Sequence, residues 1–158
     1  MNQFVTELHI IGENGIFDSN MEYSIPLYQR AYAWEDTQLI QLIEDINDVA
    51  EDTNYYIGSL IVAKHTGKYE VVDGQQRLTT VSLLLLAMYN LMDKGIIVPQ
   101  SSNLKQRIYE DYLVDKWQPE ETRIKLKPGK NDIVYESKFR QALIKNGNFL
   151  VNKAGKKR

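Results

Sequence analysis

Polar side chains crowd one short stretch between two apolar runs: Val71-Val72-Asp73-Gly74-Gln75-Gln76-Arg77-Leu78-Thr79-Thr80. A β-rich run gives way here to a helix, so N–H groups without intrahelical acceptors gather at the junction and carry the positive end of the helix dipole. Such amides can cradle an anion. Gly74 lets a ligand approach the backbone, Arg77 offers planar donors matched to phosphate, and Thr79 or Thr80 can add a hydroxyl. Asp73 could hold Mg2+ through its waters or orient a nucleophilic water, and Gln75 or Gln76 could position that water without adding charge. This is the composition of a phosphate site. The same residues also suit a plain helix cap, with Asp73 bonding backbone N–H groups and Arg77 neutralising it.

A second cluster, Ile25-Pro26-Leu27-Tyr28-Gln29-Arg30-Ala31-Tyr32-Ala33-Trp34, puts three aromatic rings and an arginine into a non-helical stretch. Loops of this kind often bind ligands. The rings can stack on bases, Gln29 can pair with base edges, and Arg30 can reach phosphate. Tyr32 and Trp34 can equally anchor the start of a helix in the core.

The elements that position these clusters follow from periodicity. Leu8–Ile11 and Glu22–Ile25 read as short strands around the turn-rich Gly12–Asn20, and Pro26 ends the pairing. From Asp36, apolar residues recur at Leu39, Leu42, Ile43, Ile46 and Val49, which predicts a helix ending near Asp52–Asn54. Tyr55–Ala63 and Tyr69–Val72 form a hairpin through the loop Lys64–Lys68, and a core helix runs from about Gln75 to Met92. Gly95 and Pro99 close it, and Ser101-Ser102-Asn103 opens another helix towards Trp117, its inner face Leu104, Ile108, Tyr112 and Leu113. Arg123–Lys127 alternates as a strand with one wet side. Asn131 or Asp132 caps a last helix carrying Ile133, Phe139, Leu143 and Ile144, stopped by Asn146-Gly147-Asn148. The expectation is one α+β unit: a core over 1–98, a helical and strand extension over 99–150, and a basic tail over 151–158.

Composition narrows the chemistry. In 158 residues there is no cysteine, which removes disulfides, thiolate metal sites and thiol nucleophiles, and the only histidines, His9 and His65, stand in no metal-binding or triad spacing. The 43% hydrophobic content can supply a core at this length. The net charge of −2 hides a division: residues 1–100 hold 14 acidic and 5 basic side chains, and residues 101–158 hold 7 and 14. The later, basic part, with Lys125, Lys127 and Lys130, could meet the phosphates of DNA. No basic and apolar leader opens the chain, and Val81–Met92 is too short to cross a bilayer, so a cytoplasmic protein without membrane contact is expected. Gly15-Ile16-Phe17 and Tyr56-Ile57-Gly58 are too far apart to form the hairpin signature of a GIY-YIG nuclease.

Three motifs together resemble the N-terminal domain of GmrSD-type modification-dependent restriction proteins. They are Ile-Pro-x-Tyr-Gln-Arg-x-Tyr-x-Trp from Ile25 to Trp34, Tyr-x-Ile-Gly-Ser from Tyr55 to Ser59, and Asp-Gly-Gln-Gln-Arg-Leu-Thr-Thr from Asp73 to Thr80. The resemblance is firm over about residues 5–92 and looser from Lys125 to Phe139. That family is similar in fold to ParB and sulfiredoxin, where a Gly-x-x-Arg at a helix start grips nucleotide phosphates; Gly74 to Arg77 is the equivalent here. The resemblance implies a nucleoside triphosphate as cofactor, bound by Gly74, Arg77, Thr79, Thr80 and Arg30, with Asp73, Gln75, Gln76 and Arg77 serving hydrolysis. It implies DNA sensing through Tyr28, Gln29 and Arg30, in a phage-defence system whose cutting is done by a His-Asn-His-type nuclease domain or subunit. This sequence carries no such nuclease motif and is not expected to cut alone. The alternative is a ParB-like DNA-binding module without turnover.

Overall fold

The break at Asp73-Gly74 organises the molecule, because it turns a strand directly into a helix whose first turns are buried. The computed structural model describes residues 4–12, 15–17, 21–50, 53–66, 68–114 and 125–127. Within them the elements are β1 (Tyr23–Ser24), α1 (Asp36–Asn47), β2 (Ile61–His65), β3 (Lys68–Asp73), α2 (Gln75–Asp93), α3 (Leu104–Arg107), a π-helical segment (Ile108–Leu113) and β4 (Leu126–Lys127). The four strands form one mixed sheet in the order β2-β3-β1-β4. β2 and β3 pair antiparallel as a hairpin, while β1 runs parallel to both β3 and β4. The architecture is mixed α/β, compatible with the α+β class read from the sequence.

Helix α2 is apolar on most sides because it meets two cores. Leu78 and Val81 pack with Phe17, Tyr23, Val71 and Leu126 against the sheet. Further along the same helix, Leu86 and Met92 pack with Ile108, Leu113 and Val114 from the segment that follows. The central position expected of this helix is borne out.

Several expectations are corrected. Leu8–Ile11 is not a strand: the Ile16 N–H donates to the Ile10 carbonyl and the Phe17 N–H to the Ile11 carbonyl, folding the chain back on itself, and Leu8 stays 90% exposed. The fold-back is tight enough to require glycine at 15, where a Cβ would lie 1.8 Å from the Ile10 oxygen. α1 stops at Asn47, before the expected end. Strand β2 begins only at Ile61, because Gly58 takes φ +109° and breaks the β-type run that starts at Tyr55. The helix expected towards Trp117 is a single α-turn continuing into the π-helical segment, after which Val114 is extended. Of the Arg123–Lys127 strand, Leu126 and Lys127 are paired; Arg123, the last helix and the tail lie outside the described residues.

Candidate functional site

The parallel strands β1 and β3 end at the same side of the sheet, the side where open α/β sheets hold ligands. From β1 the chain continues into the Tyr28–Trp34 segment, and from β3 it enters α2. Gly74, at φ +88°, is the N-cap of α2, and no side chain caps it. The first helical bond closes from the Leu78 N–H to the Gly74 carbonyl at 3.0 Å. The amides of Gln75, Gln76 and Arg77 have no acceptor among the described residues, and no acidic side chain lies in the first turn. Asp73 is exposed and makes neither a capping bond nor an ion pair with Arg77 among the described residues. The arrangement is therefore not the plain helix cap that the sequence also allowed. A bare dipole end with an arginine added to it is electrostatically unfavourable until something negative approaches.

The Arg77 guanidinium leans over the Tyr55–Ser59 motif. Its Nη1 donates to the Ser59 carbonyl at 3.2 Å, and it lies flush on Gly58, where a Cβ would fall 2.5 Å from Cζ. The Ser59 oxygen also sits 2.7 Å from where a Cβ of Gly74 would be. The Ser59 carbonyl thus lies against the N-cap glycine as well as accepting from Arg77. Behind it opens an apolar cleft lined by Phe17, Ile57, Leu60, Leu78, Val81 and Arg77.

The two glutamines face the other way. Gln76 uses both ends of its amide: Nε2 donates to the Ala31 carbonyl at 3.1 Å and Oε1 accepts from the Ala33 N–H at 2.8 Å. Gln75 Nε2 donates to the Arg30 carbonyl at 2.9 Å, leaving its Oε1 as the remaining acceptor. Both side chains belong to residues less than a tenth exposed. Thr80 is buried one turn further in; its hydroxyl donates to the Gln76 carbonyl at 2.7 Å and meets the Tyr32 hydroxyl at 2.9 Å. Thr79 is buried beside it. Helix α2 therefore grips the backbone of residues 30, 31 and 33 through Gln75 and Gln76, and the Tyr32 hydroxyl through Thr80.

The Tyr-Gln-Arg segment is anchored in turn to β3. Gln29 Nε2 donates to the Val72 carbonyl at 2.6 Å and, at 3.4 Å, to that of Val71, and the exposed Tyr28 hydroxyl donates to Glu70 Oε1 at 3.3 Å. Arg30 is exposed, with no side-chain partner among the described residues. Of the residues singled out in the sequence, Asp73, Arg30, the Thr79 hydroxyl, the Gln75 Oε1 and three main-chain amides have no hydrogen-bond or ion-pair partner among the described residues.

Two lysines expected to face DNA do not. Lys125 is 2% exposed and donates to the carbonyls of Phe17 and Asp111. Lys127 pairs with Glu22 at 2.6 Å, and Lys68 reaches the same oxygen at 3.1 Å. Burial pushes the Glu22 carboxyl up, but the bonds and charges of Lys127 and Lys68 outweigh it and hold the group below its ordinary value. Lys130 lies outside the described residues. Sequence reasoning missed this clamp, and it missed Gly58 and Ser59 as the seat of Arg77; the glycine-serine pair at the end of a β-rich run was the signal for the second.

Fold and site define a mixed α/β domain whose central helix opens, uncapped, at the carboxyl end of a strand. Comparison with family models gives the class a family: the GmrSD restriction endonuclease N-terminal domain matches residues 13–157. The chain belongs to that family and is thus part of a restriction system. Comparison with curated proteins gives no match. No helix among the described residues is long and apolar enough to cross a membrane.

Proposed function

We propose that this chain is the nucleotide-sensing unit of its restriction system, a ParB-like domain that binds the phosphates of a nucleoside triphosphate at the start of α2 and governs a separate His-Asn-His-type nuclease domain or subunit. The observation that carries the reading is the first turn of α2: three unbonded amides, no acid, and Arg77 added to the positive end. A phosphate there reverses an unfavourable interaction, worth about 0.3–1 kcal/mol per charge at an exposed helix end. In this reading Gly74 admits the phosphate to the amides, Arg77 turns from Ser59 to grip it, and Arg30 supplies a second cation. Mg2+ binds through one or two carboxylates together with phosphate oxygens, a role open to Asp73. Among the described residues no cluster of three or more acidic, histidine or cysteine side chains could hold a metal by itself. In this reading Gln75, whose Oε1 has no partner among the described residues, orients a water for hydrolysis once nucleotide binds, whereas Gln76 fixes the loop. Tyr28, Gln29 and Arg30 form the DNA-sensing edge, with Arg30 the member free to move.

Calorimetry with a panel of nucleoside triphosphates in the presence of Mg2+ tests the reading. Arg77→Ala removes a charge-assisted contact worth roughly 1.5–3 kcal/mol and is expected to weaken binding about 10- to 150-fold. Equal binding by wild type and a folded Arg77→Ala variant overturns it. Phosphate release measured with and without DNA then separates a hydrolase from a module that binds without turnover.

A further inference from the structure

Both halves of an unmade strand pairing stand exposed on this chain. Ahead of the fold-back at Ile10, residues 4–9 make no backbone–backbone hydrogen bond among the described residues. Glu7 and His9 meet at 2.8 Å across the residue between them, so they share one side of this arm and Leu8 is turned to the other, as in an extended chain. Thr6 and Ile10 follow Leu8 at the same two-residue period. Phe4, Val5, Leu8 and Ile10 are 79%, 61%, 90% and 61% exposed. Four large apolar side chains left in water favour a surface that covers them.

The sheet offers what such an arm can pair with. In the order β2-β3-β1-β4, β2 is an outer strand. The Tyr69 N–H donates to the Glu22 carbonyl at 2.8 Å, so Tyr69 turns its main-chain groups towards β1 and away from β2. Lys64 stands opposite Tyr69 in the antiparallel ladder and therefore turns its own N–H and C=O away from β3; by alternation Val62 does the same. Two donors and two acceptors thus point out of the sheet. Val62 packs on the core that Val71 and Tyr69 share, which puts Ala63 and His65 on the opposite face, with Lys68 paired to His65. The two faces of this edge match those of the arm: apolar beside Val62, and basic at His65 and Lys68, where Glu7 would lie. A register shift between Ile61 and Val62 and the lysine at 64 blunt the edge against indiscriminate pairing and leave Val62–His65 as its usable length, which Thr6–Ile10 is long enough to cover.

We infer that two copies of this chain pair by exchanging arms, each laying Thr6–Ile10 along the β2 edge of the other, with Leu8 and Ile10 beside Val62 and Glu7 beside His65 and Lys68. Main-chain bonds to Val62 and Lys64 attach the arm, and its apolar side chains supply the buried area. Because arm and edge belong to one chain, reciprocal exchange closes at two copies. This does not depend on the reading of the anion site. Sedimentation equilibrium of the full chain from about 1 µM to about 1 mM is expected to show monomer and dimer in mass-action balance. Leu8→Lys, at the most exposed of these side chains, and Lys64→Pro, which deletes an N–H that points out of the sheet, are each expected to weaken association at least about tenfold. At concentrations where both are monomeric, the Leu8→Lys chain keeps the urea midpoint of the wild type. A chain that stays monomeric throughout overturns the proposal, as does a dimer unchanged by Leu8→Lys. Absence of cysteine from the sequence lets the contact itself be read. An equimolar mixture of Leu8→Cys and Lys64→Cys chains, treated with a short bismaleimide, is expected to give more product joining position 8 to position 64 than the 8-to-8 and 64-to-64 products combined. A mixed product no more abundant than that, which random encounter would give, overturns the exchange. So does a chain bearing both cysteines that links internally at high dilution as fast as the mixture links at dimer concentrations, since the arm would then lie on its own edge.

Discussion

Replacing Gly58 by alanine probes the contact on which the candidate site turns. Two costs arise. Gly58 sits at φ +109°, where a side chain is strained by about 1–2 kcal/mol, and the new methyl would lie 2.5 Å from Arg77 Cζ. The guanidinium is the end of a flexible side chain, so it swings away and gives up its 3.2 Å bond to the Ser59 carbonyl. In a solvent-accessible setting that bond contributes about 0.5–1 kcal/mol. Gly58→Ala is thus expected to destabilise by roughly 1.5–3 kcal/mol, or about 3–12 °C in Tm for a chain of this size. Arg77→Ala alone loses only the bond. In the double variant the strain remains and the bond is lost once, so its destabilisation matches that of Gly58→Ala and falls short of the sum by about 0.5–1 kcal/mol. Urea unfolding of the four proteins measures this directly. Full additivity would mean that the arginine does not rest on Gly58; a Gly58→Ala protein as stable as wild type would refute the strained turn as well.

Other expectations can be checked with the same equipment. Because Glu22 is held below its ordinary value, its contribution to stability is present above about pH 4.5 and is lost as the pH falls through the lowered folded value. Glu22→Gln should flatten that acid limb of the urea midpoint, and an unchanged limb would remove the Lys68–Glu22–Lys127 clamp from the account. Gln76→Ala strips two main-chain bonds from Ala31 and Ala33 and is expected to cost about 1–2 kcal/mol, since both of those residues are exposed enough for water to replace part of the loss. No change on urea unfolding would count against the glutamine strap. Arg30→Ala should leave stability within about 0.5 kcal/mol while reducing discrimination between modified and plain DNA duplexes in titrations at several salt concentrations. A large stability loss would show that the arginine is structural.

Much of the site was legible because its signals are local. A β-rich run, Asp-Gly, and a long apolar run announce a strand turning into a buried helix, and that junction places Gly74 and Arg77 as the sequence suggests. What was hidden depends on pairs distant in the chain. Gln76 binds main-chain groups more than 40 residues away, so no spacing rule reveals that its amide is committed. Lys125 was expected to face water because basic and apolar residues alternate around it, yet both Lys125 and Leu126 are 2% exposed. Alternation assumes a strand with one wet face; Lys125 lies just before the paired residues and turns to two carbonyls that only the tertiary fold supplies. The segment from Tyr55 to Leu60 has the composition of a strand, but a single positive-φ glycine ends the pairing there.

Helix α2 begins at the uncapped Gly74 junction and reaches the Ile108–Val114 cluster at its other end, with 19 continuous helical residues in all. At 1.5 Å per residue this is a rod about 28 Å long. Close-packed interiors resist compression, so a rod seated in two cores conveys a tilt instead of absorbing it. A reorientation of only about 3° at Gln75 would displace the far end by about 1.5 Å, the scale on which helix shifts change the state of an interface. In the proposed reading this helix is a stiff lever whose input is the grip of Arg77 on a phosphate and whose output is the Ile108–Val114 cluster.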